Sequence, residues 1–298
     1  MSGLKDIKIF VSVFKDKARG TGGFVIPVSA GSELYSEDDI ILGMRDDEGI
    51  NISLKNPQYC ELTVQYYIWK NLEFDVGGLM HQRRYFDLSR AYPISKSTMP
   101  SGQKPYRIYN QPDEKTLYKL GYTYDNIKRL TDDYRIIAPL RENLYQSVRS
   151  YYDKNDRRGF DDLGLILDII KEKYPSYYDP AKKYFAQTLS YFCNMFIMDR
   201  EMLDGYSRWL YDILDEYDKR KPPELFCPRE QGKLAERLFG VYMTYIIENT
   251  DIPCAELQRA HFCSINGATS RNMSFSRGMY ALCPPGSIRR GILRKIKK

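Results

Sequence analysis

Short β-rich runs alternate with helix-patterned segments along the chain, and that alternation confines it to the α/β class. Ile7-Lys8-Ile9-Phe10-Val11-Ser12-Val13-Phe14 reads as a strand, rich in β-branched and aromatic residues with partial alternation. Asp75-Val76-Gly77-Gly78-Leu79-Met80 is a short apolar run between polar flanks and reads as a buried strand. Residues 134–139 and 191–198 read as two more. Helices are expected from Asn56-Pro57 onward, over 160–174, over 180–190, over 200–219 and over 229–248. Strands joined through helices favour parallel pairing, so the central sheet is expected to be mostly parallel. The chain then forms one domain over 1–285, with a helical insertion at about 143–190 and a basic amphipathic tail over 286–298. Residues 92–112 are crowded with Pro, Ser, Gly and Tyr and read as a long loop, and the stretch after 248 reads as loop-rich.

With 298 residues, 43% hydrophobic and 28% charged, the chain can bury a sizeable core, and disordered, collagenous and coiled-coil classes are excluded. Lys and Arg number 45 against 39 Asp and Glu, and six of the positive charges sit together at Arg289, Arg290, Arg294, Lys295, Lys297 and Lys298. The remainder is near neutral, so nucleic acid is not an expected partner. No apolar run is long enough to cross a membrane, and Met1 to Phe10 lacks the apolar region of a secretory signal. None of the six cysteines forms C-x-x-C, and free thiols fit a reducing, cytoplasmic setting. Two histidines, His81 and His261, exclude a multi-histidine metal site within one chain.

In open α/β sheets, ligands lie beyond the carboxyl ends of strands. Two polar clusters fall there: Lys15-Asp16 after the first strand, and His81-Gln82-Arg83-Arg84-Tyr85-Phe86-Asp87 after the glycine-containing one. A guanidinium fork matches two phosphate oxygens, so Arg83 and Arg84 are candidate phosphate ligands, or else partners of Asp75 or Asp87. Successive residues on an extended segment point opposite ways, so the two arginines are not expected on the same ligand atom. His81 is either a phosphate or hydroxyl partner or a satisfied structural group, and Tyr85 and Phe86 are candidate pocket walls. Asn56 is placed to cap a helix start, where anions are favoured, with Ser53 and Lys55 beside it and Glu61 a turn on. Arg229, Glu230 and Glu236 fall in a late helix, where a carboxylate can take a hydroxyl proton but more often faces solvent. Many nucleotide-sugar enzymes hold a divalent cation on Asp-x-Asp at a strand end, and no Asp-x-Asp occurs here; Asp46-Asp47-Glu48 lies in a loop. If the reaction is glycosyl transfer, arginine or lysine is expected to replace the metal, with no cofactor.

Residues 51–63, Asn-Ile-Ser-Leu-Lys-Asn-Pro-Gln-Tyr-Cys-Glu-Leu-Thr, then Trp69-Lys70-Asn71, then Gly78-Leu79-Met80-His81-Gln82-Arg83-Arg84-Tyr85-Phe86 resemble the DUF4422 family of bacterial capsular-polysaccharide and O-antigen glycosyltransferases. Asn194-Met195-Phe196-Ile197-Met198 and the Arg229, Gly232, Glu236-Arg237-Leu238-Phe239 group extend the likeness. The resemblance implies a GT-A-like fold and a UDP-sugar donor. It further implies an inverting, metal-independent hexosyl transfer, with galactofuranose as the sugar, to a glycan or lipid-linked oligosaccharide. It places His81, Arg83 and Arg84 in the donor site with Lys15, Tyr85, Asn194 and Arg229, sets Asn56, Tyr59 and Glu61 on the adjoining helix, and makes Glu236 the preferred base. The chain departs from the family pattern at Gln82, where Tyr is usual, at Ile50, where Asp is usual, and at Phe14, where His is frequent. The tail interleaves Ile288, Ile292, Leu293 and Ile296 with its basic residues, as a segment resting on an anionic inner-leaflet surface would. Two further functions fit the same residues: sugar-phosphate transfer, which would release UMP, and non-catalytic glycan binding or assembly through the 26 tyrosines.

Overall fold

The computed structural model describes residues 4–14, 23–36, 43–94, 104–155 and 159–262. Lys15 and the 286–298 tail lie outside them. In chain order the elements are β1 (Ile7–Val13), β2 (Val25–Ser29), β3 (Met44–Arg45), α1 (Asn56–Tyr59), α2 (Leu62–Asn71), β4 (Val76–His81), β5 (Arg84–Pro93) and β6 (Tyr106–Tyr109). There follow α3 (Glu114–Lys119), α4 (Tyr124–Asp133), β7 (Ile136–Pro139), β8 (Glu142–Asn143), α5 (Val148–Asn155), α6 (Asp162–Lys173) and α7 (Tyr178–Ala186). The last are β9 (Leu189–Ser190), β10 (Phe196–Asp199), α8 (Arg200–Arg220), α9 (Glu230–Asn249) and β11 (Cys254–Phe262). Among the described residues no helix is long and apolar enough to cross a membrane.

The strands form a mixed sheet in the order β10-β7-β11-β5-β4-β1-β2-β3, with β6 beside β11 and β10 also paired to β4. β1 runs parallel to β2 and β4, and β11 parallel to β6 and β7, but β4–β5, β5–β11, β4–β10 and β7–β10 are antiparallel. With β2 also parallel to β3, five of the nine strand pairings of this sheet are parallel and four antiparallel, so the sheet is more mixed than expected. Only Gln82 and Arg83 separate β4 from β5, and a two-residue link closes an antiparallel hairpin and cannot support a crossover. The long loop expected over 92–112 contains the end of β5 and all of β6. The expected strand over 191–198 begins only at Phe196, because Cys193 and Asn194 take left-handed backbone angles (φ 82° and 36°) that interrupt extension.

The segment after 248, expected as loop, carries β11 at the heart of the sheet. Its sequence hides it: Glu256 and Arg259 are almost fully buried, a pattern unlike a buried strand. Long-range partners make it possible. Arg141 Nε donates to Glu256 Oε1 at 2.5 Å, and Arg259 donates to Glu142 Oε1 at 2.5 Å.

Side chains alternate across β1, and so does the core. Phe10 enters a cluster with residues of α2, α6, α7, α8 and α9, while Ile9 and Val11 enter another with Leu117, Leu120, Ile127 and Leu130 from α3 and α4. Helices thus cover both faces. The helices α5, α6 and α7 lie between β8 and β9, which pair with each other at Glu142↔Ser190 and Asn143↔Leu189. α7 ends at Ala186, short of the expected 190, and Leu189-Ser190 supplies that ribbon. At Gly240 a Cβ would stand 1.8 Å from Tyr184 Cζ, so α9 and α7 approach as closely as a glycine allows. Gly240→Ala should lower the stability by about 1–3 kcal/mol through overpacking, read as a lower urea midpoint with unchanged slope; an unshifted midpoint would show that this helix contact is not tight.

Candidate active site

The parallel pair β1 and β4 brings Ser12 opposite His81, so the two strands end side by side. β4 then turns through Gln82 and Arg83 into Arg84, the first residue of β5. The turn is tied to β1: Gln82 N donates to Ser12 O at 3.0 Å, and Gln82 Oε1 accepts from Phe14 N at 2.8 Å. The amide side chain at this position therefore completes the hydrogen bonding of the β1 end.

A cavity of about 410 Å³ opens beyond these strand ends, within the range of ligand sites. His81, Arg83 and Arg84 line it from the hairpin, Asn56 and Glu61 from the α1 region, and Arg229 from the start of α9. Both arginines of the hairpin face one space because Arg83 sits in a turn, where the alternation expected of an extended segment does not apply. Arg84 makes no salt bridge among the described residues. Three guanidinium groups and one carboxylate give the wall a net charge of +2 with His81 neutral, suited to a diphosphate.

The helix over 56–71 is broken, contrary to expectation. Ser53–Lys55 forms a 3-10 turn, α1 lasts four residues, and Cys60 (φ 52°) breaks it before α2. Asn56 is not the cap; its Nδ2 donates to Cys60 O at 2.9 Å and Thr63 Oγ1 at 3.0 Å, bridging the break. Ser53 Oγ donates to the buried Asp46 at 2.6 Å, and Lys55 lies 3.5 Å from Asp218 Oδ2. The expected anion site at this helix start is thus replaced by structural bonds, and what α1 gives the cavity is Asn56, Pro57, Cys60 and, just after it, Glu61. Arg229, in left-handed conformation (φ 64°), donates its backbone N–H to Pro57 O at 2.8 Å, and its guanidinium lies beside the Cys60 thiol.

Glu61 is buried. Its Oε1 accepts from Asn194 Nδ2 at 2.8 Å and lies 3.4 Å from His81 Nε2. Burial pushes this carboxyl up, but when His81 is protonated its charge and the hydrogen bonds Glu61 receives outweigh burial and hold the carboxyl down to about 2. Glu236 Oε1 accepts from Cys193 N at 2.7 Å, and its Oε2 is 3.2 Å from the Arg237 guanidinium. Burial pushes the Glu236 carboxyl up, against the pull of Arg237 and the Cys193 amide. Glu236, its side chain 19% exposed, is not among the residues that line the cavity, and hydrogen bonds through Cys193 join it to His81.

Three expected contacts fall elsewhere. Tyr59 is 1% exposed and donates its hydroxyl to Asp218 Oδ2 at 2.7 Å, because α1 turns that face into the core. Tyr85 and Phe86 are buried, Tyr85 against Tyr122 and Phe262, so neither walls the cavity. Asn194 is buried and acts on Glu61 and on Gly232 O, not on the cavity space. Asp75 accepts from Asp6 N, 69 positions away along the chain, and Asp87 accepts from Ser89 within β5. Among the described residues no group of three or more His, Cys, Asp or Glu side chains could hold a metal. The reading of the sequence missed Cys60 and Gln82 as cavity residues and Cys193, with Arg259 and Glu142 behind it, as the support of His81; the signal of the last three is contact across 66 and 117 positions of chain.

The chain matches the DUF4422 family, described as a domain of unknown function, over residues 8–248. Its fold is similar to a solved apo structure described as the bifunctional glycosyltransferase WbbM, with a TM-score of 0.77 and 28% identity. That match covers 86% of this chain and 45% of the WbbM chain, so this chain spans less than half of that protein. No curated protein matches the chain.

Proposed function

We infer the function from the premise that the chain belongs to the DUF4422 family: it transfers a hexosyl unit from a nucleoside-diphosphate sugar to a glycan hydroxyl. The observation that carries this reading is the set of three arginines, Arg83, Arg84 and Arg229, around one cavity at the ends of β1 and β4. The likeness to a bifunctional glycosyltransferase supports it. The donor is taken to be a UDP-sugar, with galactofuranose the first sugar to test, and the acceptor a growing or lipid-linked polysaccharide.

In such a transfer the bond from the anomeric carbon to the diphosphate breaks, and negative charge collects on the departing oxygens. Preorganised guanidinium groups stabilise that charge more in the transition state than in the bound donor, which is what accelerates the step. On the other side the acceptor hydroxyl gives up its proton; His81 and Glu61 line the cavity with the arginines, and Glu236 is joined to His81 through the Cys193 backbone. The positive charge here comes from side chains, so turnover should be unchanged in excess EDTA. Strict dependence on a divalent ion would contradict the role given to the arginines.

The test is a panel of UDP-sugars incubated with the purified chain, with the nucleotide product separated by chromatography. Release of UDP matched by glycan extension is the expected result. Release of UMP would identify sugar-phosphate transfer instead, and the absence of both nucleotide release and UDP binding would leave a non-catalytic role.

A further inference from the structure

Cys193 and Asn194 are consecutive non-glycine residues with left-handed backbone angles, φ 82° and 36°. Each such residue costs on the order of 1–3 kcal/mol and persists only where its surroundings hold it. This turn is held from several sides. Cys193 N donates to Glu236 at 2.7 Å, Cys193 Sγ accepts from Arg259 at 3.0 Å, and Asn194 Nδ2 donates to Glu61 Oε1 and Gly232 O at 2.8 Å each. The remaining group, Cys193 O, lies 2.6 Å from His81 Nε2.

A carbonyl oxygen can only accept, so Nε2 of His81 carries a hydrogen. The neutral ring then keeps its lone pair on Nδ1. Nδ1 has no hydrogen-bond partner among the described residues and is not among the polar atoms sealed from solvent. The ring lines the cavity next to the arginines. Glu236, its side chain 19% exposed, has one oxygen on the Cys193 amide and the other near Arg237, and is not among the residues that line the cavity.

We propose that His81, through Nδ1, is the group that takes the proton from the acceptor hydroxyl, with Glu61 and the Cys193–Asn194 turn as its positioning residues. This rests on the transferase reading above. In the step, the hydroxyl proton passes to Nδ1 and the hydroxyl oxygen bonds to the anomeric carbon. The bond from that carbon to the diphosphate oxygen breaks, and its electron pair leaves with the nucleoside diphosphate. The imidazolium so formed has the Glu61 carboxylate 3.4 Å from Nε2 to balance its charge. Glu236 holds the turn and not the substrate.

The charged and titratable groups around His81 are Cys60 and Glu61 before α2, Arg83 and Arg84 on the hairpin, Cys193 in the turn, Arg229 just before α9 and Glu236 within it, and Arg259 and the neutral His261 from β11. Turnover falls as pH falls and Nδ1 gains its proton. Removing the Glu61 charge makes the imidazolium less favourable, so the acid limb of the profile should move to lower pH in Glu61→Gln.

The experiment compares His81→Gln, Glu236→Gln and Glu61→Gln with the parent chain in kcat, UDP affinity and the pH profile of kcat/KM. Glutamine at 81 can still offer an amide N–H to Cys193 O but has no base at the Nδ1 position. His81→Gln should lose about 10²–10⁴-fold in kcat with UDP affinity kept, and Glu236→Gln no more than about tenfold on the same scale. Retention of turnover in His81→Gln, larger loss in Glu236→Gln than in His81→Gln, or an unmoved acid limb in Glu61→Gln would each overturn the proposal. Should His81→Gln fail to fold, the Glu61→Gln profile decides. A parent chain that neither binds UDP nor turns over any sugar donor brings down the transferase reading itself, and the proposal with it.

Discussion

Arg84→Ala is expected to lower kcat by at least about 10²-fold, the scale seen when one preorganised donor to developing charge is removed, while leaving the fold intact. The reason lies in where Arg84 stands. It begins β5 at the cavity, partly exposed, and makes no salt bridge among the described residues. Its guanidinium is therefore available to a ligand and contributes little to folding; a change of this kind away from packed or paired groups shifts stability by about 0.5 kcal/mol or less. The measurement is a steady-state assay beside a thermal melt. Unchanged turnover would remove Arg84 from the site, and a collapsed melt would show that its role is structural.

Lys221→Ala should have the largest effect on stability. Lys221 is 3% exposed just past the end of α8, with its ammonium 2.7 Å from Asp162 Oδ1 and bonded to Glu230 Oε1 and to the Tyr217 hydroxyl. Asp162 begins α6 and Glu230 begins α9, so one cation joins three helices. Without it two buried carboxylates face each other uncompensated, a loss of about 3–5 kcal/mol. At about 2–4 °C per kcal/mol for large domains, the melting midpoint should fall by roughly 10 °C. Because Glu230 follows Arg229 directly, UDP affinity should weaken as well. A midpoint within about 2 °C of the parent would show that the cluster contributes little.

What the sequence disclosed and what it concealed divide along one physical line. β1, β4 and the long helices α8 and α9 are written in local periodicity, and the placing of His81, Arg83 and Arg84 at a strand end follows from the apolar run before them. Features made by distant contacts were not legible. β11 carries Glu256 and Arg259 into the core on the strength of Arg141 and Glu142, more than a hundred residues away. The helix break at Cys60 depends on the Asn56 side chain bonding Cys60 O and Thr63. Tyr59 carries the same motif letters as its neighbours, yet the direction of α1 sends it to Asp218 and not to the cavity. The motif points to Glu236, but its bond to the Cys193 amide, and through that turn to His81, is visible only in the folded chain.

The account depends on a cationic cavity that grips a nucleoside diphosphate. Its most direct test is calorimetric titration of UDP into the parent chain and into an Arg83→Ala/Arg84→Ala double variant. The expected result is saturable one-site binding by the parent, weakened by added salt, and loss of that binding in the folded double variant. Equal binding by both, or none by the parent, would contradict it.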